Sequence, residues 1–255
     1  ALGRFDYTPQ DCFDFHDAIQ QEIVPILQEQ AQKRKEALHL HNLKPWDMDV
    51  DVSGKPALKP FHNGHDLIDK TITCFDKLDP YLGEKLAFMK AEGLFDVESR
   101  KGKAPGGYNY PLAETGAPFI FMNSANTFRD LTTMVHEGGH AIHTFISADL
   151  ELNDFKHVPS EVAELASMSM ELISMDAWDV FFDNEEDLKR AKRDQLKDVL
   201  KTLPWVAVVD KFQHWIYTNP NHTATERSEA WKTIFAPFGN NFSDWTDQED
   251  ALQNL

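Results

Sequence analysis

A chain of 255 residues with 42% hydrophobic and 26% charged residues has the balance of an ordinary soluble globular protein, long enough for one large domain or two small ones. Its formal net charge of −17 argues against a nucleic-acid partner, because phosphate binding needs a basic surface, and mildly favours basic or neutral substrates. Two cysteines, Cys12 and Cys74, make no disulfide framework and suit a reducing cytoplasm, while the absence of any long apolar run argues against a membrane partner or an N-terminal signal core.

Thr8-Pro9-Gln10-Asp11 predicts a helix start: a capping hydroxyl, proline at the first helical position, then an acid. Ile19, Ile23, Ile26 and Leu27 carry the helical spacing on to about His41, with Pro25 as a kink. His39 and His41 stand two apart and share no helix face, so they read as surface residues and not ligands. Leu43-Lys44-Pro45-Trp46-Asp47 ends this helix, and Asp49 to Phe61 reads as a polar, irregular or hairpin-like insertion. Helices are expected from Gly64 to Leu78 and from Asp79-Pro80 to Gly93, a C-terminal glycine.

From Leu94 to Gly116 the chain turns glycine-rich and basic, through Arg100-Lys101-Gly102-Lys103-Ala104-Pro105-Gly106-Gly107-Tyr108. A phosphate loop would need glycine at 97 and serine or threonine at 104; Val97 and Ala104 stand there, so nucleotide binding is rejected. The stretch reads as a mobile loop over a cleft or as a plain surface loop. Pro118 to Asn123 is the best strand candidate. Such a strand either offers an edge to another extended segment or is flanked by neighbours on both sides.

Asn126 or Thr127 caps a helix expected from about Phe128 to Ala148, and this helix contains His136-Glu137-Gly138-Gly139-His140. Residues i and i+4 lie one turn apart on one helix face, so two imidazoles can converge on a single ion. Zinc bound in this way takes a third protein ligand and lowers the pKa of a water, whose proton the intervening glutamate accepts. A third histidine six residues beyond His140 is ruled out, since Ile146 stands there. His143 falls on the same face but about 10 Å along the axis from His136, which suits outer support or packing better than ligation. The remaining source is the next helix, expected from Pro159 to about Trp178. There Glu161, Glu164 and Glu171 lie near one face, beside small Ala163, Ala166 and Ser167. Small residues on both helices, Gly138 and Gly139 included, permit close approach.

These residues carry a resemblance. His136-Glu137-Gly138-Gly139-His140-Ala141-Ile142-His143, followed by Glu164-Leu165-Ala166-Ser167 and Glu171, looks like the thimet oligopeptidase and oligoendopeptidase F family of zinc metallopeptidases. Leu43-x-Pro45-Trp46-Asp47, Gly102-Lys103-x-x-Gly106-Gly107-Tyr108 and Pro118-Phe119-Ile120-Phe121-x-Asn123 are similar to it too, so the resemblance runs over roughly residues 40 to 180. It implies a mostly α fold with a small β-sheet beside the zinc helix and a channel admitting short peptides. It implies one zinc ion per chain on His136, His140 and Glu164, with Glu137 as general base and acid. Glu171 would orient a ligand histidine, and His143 would be a further outer partner. Gly106, Gly107, Tyr108, Phe119 and Phe121 become candidate substrate contacts, and short peptides the partners; oligomeric state has no signal in the sequence.

The expected organisation is a single catalytic domain or a fragment of one over residues 1–255, with a motif-bearing core at 94–178 and a helical part at 179–255. Both ends look cut, as in part of a longer enzyme. The family resemblance also implies a later loop whose histidine and tyrosines bind the developing oxyanion, and no matching loop is found. His214 and Tyr217, in a helix expected from about Asn184 to Thr218 and interrupted at Pro204, read as structural. Thr225 to Phe238 and Asp247 onward are expected as two further helices. Two rival readings stay open: a peptide-binding or structural fragment with weak or no turnover, and a zinc-stabilised helical module without substrate.

Overall fold

Residues 6–240, 242–246 and 248 are described by the computed structural model, which is mostly helical with one three-stranded sheet. In chain order the helices are α1 (Pro9–Ala18), α2 (Val24–Ala37), α3 (Gly64–Leu78), α4 (Pro80–Ala91), α5 (Phe128–Ser147), α6 (Asn153–Lys156), α7 (Ser160–Ile173), α8 (Glu185–Thr218) and α9 (Ala224–Phe235). The strands are β1 (Phe95–Glu98), β2 (Tyr108–Leu112) and β3 (Ala117–Ser124). Two compact units divide the chain: Ala1–Lys55 with Leu196–Leu255, and Pro56–Gln195.

The Pro56–Gln195 unit holds the sheet and the His-Glu-x-x-His helix. Asn63 caps α3 through the Asp66 N–H at 2.9 Å, and Asp79 caps α4 through Tyr81 N–H at 2.8 Å. The apolar stripes of these helices bury Leu67, Phe75, Leu86 and Met89 with Ile120 and Met122 of β3 and Leu131, Met134 and Val135 of α5. Burying each such side chain fully contributes roughly 1.5–3 kcal/mol. The sheet order is β1-β3-β2, so β3 is central, parallel to β1 and antiparallel to β2. This settles the question about Pro118–Asn123. The strand is real but flanked on both sides, and the two edges of the sheet are β1 and β2.

The stretch 94–116 departs from the loop expected there. It supplies both outer strands, and Lys103 fastens the segment between them. The Lys103 side chain is 1% exposed, and its ammonium donates to the Asp96 carboxylate at 2.9 Å and to the carbonyls of Asp96, Glu98 and Met122. Its flexible stem thus ends in a buried clasp, the opposite of a free basic loop.

In the other unit the expected kink at Pro25 takes the form of a π-helical turn, Ile19–Ile23, between α1 and α2. A proline has no N–H to donate, and the ladder widens just ahead of it, where Val24 N–H bonds the Ile19 carbonyl. α2 stops at Ala37 rather than His41 because His39 takes a left-handed φ of 55°. The insertion at 49–61 is irregular, with no hairpin. α8 runs unbroken through Pro204, which is buried; the flanking Leu203, Ala207, Val208 and Val209 pack into this unit's core, and this tertiary packing overrides the expected break. Ile19, Val24, Ala207, Val208, Trp231 and Phe238 form this unit's core. α9 ends at Phe235 in a π-turn, Ala236–Asn240, and the helix expected from Asp247 onward lies outside the described residues.

Candidate metal centre

α5 begins where Asn126 adopts a left-handed φ of 61° and Thr127 becomes the cap. One oxygen of Asp130 accepts from Thr127 N–H at 2.8 Å, Thr127 Oγ1 at 2.9 Å and Ala125 N–H at 2.9 Å, which fixes the helix start beside the end of β3. Leu131, Met134, Val135, Gly138, Ala141 and Ile142 turn to the core, leaving His136 and His140 at the border of that face.

Gly138 and Gly139 make the approach of neighbouring elements possible. A Cβ on Gly138 would lie 2.8 Å from the Phe75 ring, and one on Gly139 would lie 2.8 Å from the Ser167 Cα of α7. The backbone of α7 therefore crosses α5 at the turn between His136 and His140. This crossing brings Glu164 Oε2 to 3.3 Å from His136 Nε2, and Glu164 Oε1 to 3.7 Å from His140 Nε2. The two imidazole rings sit edge to face, 4.9 Å apart.

The donor atoms of His136, His140 and Glu164 all lie within 4.8 Å of one another. His136 turns its other nitrogen, Nδ1, to Glu171 Oε1 at 2.7 Å, and Glu171 Oε2 accepts from Gln195 Nε2 at 2.6 Å. Ser167 Oγ donates to Glu164 Oε2 at 3.1 Å. Ser167 stood in plain view three residues after Glu164 on one helix; Gln195, on α8, had no local signal. Glu161 is exposed, and His143 lines the cavity without joining the three donors.

Burial disfavours charge at this turn. It pushes His140 below its ordinary pKa, with His136 acting the same way, and pushes Glu137 above its own, with Glu164 adding to the effect. At His136 burial also lowers the value, but the Glu171 hydrogen bond and the charges of Glu171, Glu137 and Glu164 outweigh it, so the imidazole ends above its ordinary value. Glu137 is 6% exposed, and the backbone of Asn109 on β2 hydrogen-bonds its carboxylate.

A cavity of about 470 Å³ opens over these groups. His136, Glu137, His140 and Glu164 form its floor, and Gly107, Tyr108, Asn109 and Pro111 of the β2 segment form a wall. Of the other candidate contacts, Phe121 stacks behind Tyr108 at 4.9 Å, Phe119 pairs with Tyr110 across the sheet, and Gly106 occupies the turn before β2 with φ of 99°. These three are not part of the cavity wall.

Two imidazoles one helical turn apart and a carboxylate from a crossing helix thus face one point, with a buried glutamate beside them, a donor set of the kind that can hold a metal ion. The profile of peptidase family M3 matches residues 1–254, and the chain belongs to that family. It is 28% identical over 169 residues to an oligoendopeptidase F homolog of Lactococcus lactis subsp. lactis (strain IL1403), covering 66% of this chain and 27% of that one. It is 26% identical over 218 residues to the oligopeptidase PepF of Bacillus subtilis (strain 168), covering 82% of this chain and 31% of that one. The solved structure of Pz peptidase A with an inhibitor superposes with a TM-score of 0.85 at 31% identity, over 99% of this chain and 46% of that one. The chain thus spans less than half the length of these relatives.

Proposed function

We propose that this chain carries the catalytic centre of a zinc-dependent oligopeptidase, with one zinc ion held by His136, His140 and Glu164 and Glu137 acting as general base. The convergence of those three donors over a cavity walled by an edge strand is the observation that carries the reading. The donor set suits zinc: two neutral imidazoles and a carboxylate, with Glu171 holding His136 by its second nitrogen. When bound, zinc would supply Lewis-acid polarisation of a peptide carbonyl and a lowered pKa for water.

The chain's own residues do the rest. Glu137, whose carboxyl burial favours the protonated form, takes a proton from the attacking water and returns it to the leaving amine. Asn109 holds that carboxylate against the β2 wall. β2 pairs with β3 on one side only, so an extended peptide can add to its other edge and be drawn across the floor of the cavity. Tyr108, backed by Phe121, gives that path a firm aromatic surface. Short peptides are the substrates that this arrangement admits, which agrees with the names of the relatives. Both cysteines are unpaired, which supports a cytoplasmic setting, and no described helix is long and apolar enough to cross a membrane.

Cleavage of a quenched fluorescent peptide by the chain, before and after chelation and zinc return, tests the reading. Loss and recovery of cleavage, with Glu137→Gln retaining zinc and losing turnover, is the expected result. Zinc and peptide binding without turnover would instead support the peptide-binding alternative, and cleavage undiminished in Glu137→Gln would remove the mechanism.

A further inference from the structure

A second group of ligating side chains lies in the unit formed by Ala1–Lys55 and Leu196–Leu255. The thiol of Cys12, a carboxylate oxygen of Asp210 and a ring nitrogen of His214 all fall within 4.8 Å of one another. The residues come in two helical pairs. Cys12 and His16 are one turn apart on α1, and Asp210 and His214 are one turn apart on α8. His16 is 3% exposed and approaches Asp210 Oδ2 with Nε2 at 3.0 Å, while its Nδ1 is buried without a partner. His214 Nε2 stands 3.6 Å from the same Asp210 oxygen, and Phe13 covers the His214 ring at 4.8 Å.

We propose that Cys12, Asp210 and His214 form a second metal site, for zinc, with His16 orienting the Asp210 carboxylate. Thiolate with imidazole is a donor pair that selects zinc over magnesium and calcium, and one carboxylate completes three protein ligands. Binding replaces the thiol S–H bond with an S–Zn bond and releases one proton to water. The thiolate and Asp210 then balance the dication. Lys211, next to Asp210 on α8, directs its ammonium to Asp17 at 2.8 Å. The support from His16 to Asp210 matches that from Glu171 to His136, a buried partner fixing one ligand's orientation. Such a site would fasten α1, whose one buried residue is His16, to α8.

Cobalt(II) titration of the metal-stripped chain provides the test, because thiolate-to-cobalt charge transfer in the near ultraviolet can arise only where a cysteine ligates. His136, His140 and Glu164 include none. The expected result is a charge-transfer band that saturates only when both centres are filled, at two equivalents, is lost in Cys12→Ser and His214→Ala, and survives in His136→Ala, where it saturates at one. Zinc is also expected to slow iodoacetamide alkylation of Cys12 roughly tenfold or more, while Cys74 is 0% exposed and unreactive in the folded chain. No band on the unmutated chain, or an alkylation rate indifferent to zinc, overturns the proposal without reliance on any variant's folding. A band that persists in Cys12→Ser overturns it as well.

Discussion

The two candidate metal-binding clusters start from one device, a pair of donors a helical turn apart, and are built up differently. On α5 the paired histidines are pressed against a crossing helix at Gly139 while Gly138 admits Phe75 of α3, their carboxylate partner is bonded by Ser167, and their outer support runs through Glu171 to Gln195. In the other cluster α8 contributes Asp210 and His214 and α1 contributes Cys12, and a single buried histidine supports the set. The α5 group floors a cavity and has a buried glutamate beside it. Donors alone therefore define a place for a cation; a cavity, an edge strand and a proton carrier are what turn such a place toward chemistry.

The largest effect that would break this contrast is at Glu137. Glu137→Gln is expected to lower peptide turnover by about 10²–10⁴-fold while zinc content, read by metal analysis, stays at one equivalent at this centre. Glu164→Ala is expected to weaken zinc retention at equilibrium dialysis by more than the roughly 10–100-fold typical of an outer partner. Full occupancy in that variant would move the third-ligand assignment to Glu161 or to His157, which lines the same cavity. Glu171→Ala should fall within that 10–100-fold range, by freeing His136 Nδ1 and stranding Gln195.

Next comes Gly139→Ala. Alanine favours the helix by about 1 kcal/mol, but the new Cβ would press on α7 backbone, so a net loss of roughly 1–2 kcal/mol in thermal or denaturant unfolding is expected. The smallest effect concerns acid. Arg100, then Lys103, hold the Asp96 carboxyl down at about 2, so its contribution to stability is complete above pH ~4 and fades as pH falls toward 2. Lys103→Met is expected to flatten that acid dependence as well as loosen the clasp, as followed by pH-dependent unfolding.

How far the sequence could be read depends on whether the cause of each element is local. Gly64–Leu78 and Phe128–Ser147 carry their own caps and apolar stripes, and both were legible almost to the residue. β1 and β2 were not. Phe95-Asp96-Val97-Glu98 is four residues long, Tyr108–Leu112 contains a proline, and both become strands only through pairing with β3. Three glutamates on one face of α7 left the partner of the two histidines open on spacing alone; the family resemblance singled out Glu164, whose oxygens face both imidazoles where α7 crosses α5. Reading His214 as structural followed from its helix neighbours. Its closeness to Cys12 depends on two segments 202 residues apart in sequence, which no local pattern reveals.

The single open side of β2 has one further consequence. A peptide captured by main-chain pairing is recognised by what every residue shares, so on the proposed reading selectivity would rest on shape: an unpaired, stretched chain enters, whereas a segment already committed to a sheet or helix has no free main-chain groups to offer. Protection of folded proteins would then follow from the hydrogen bonds they have already made, whatever their amino-acid sequence.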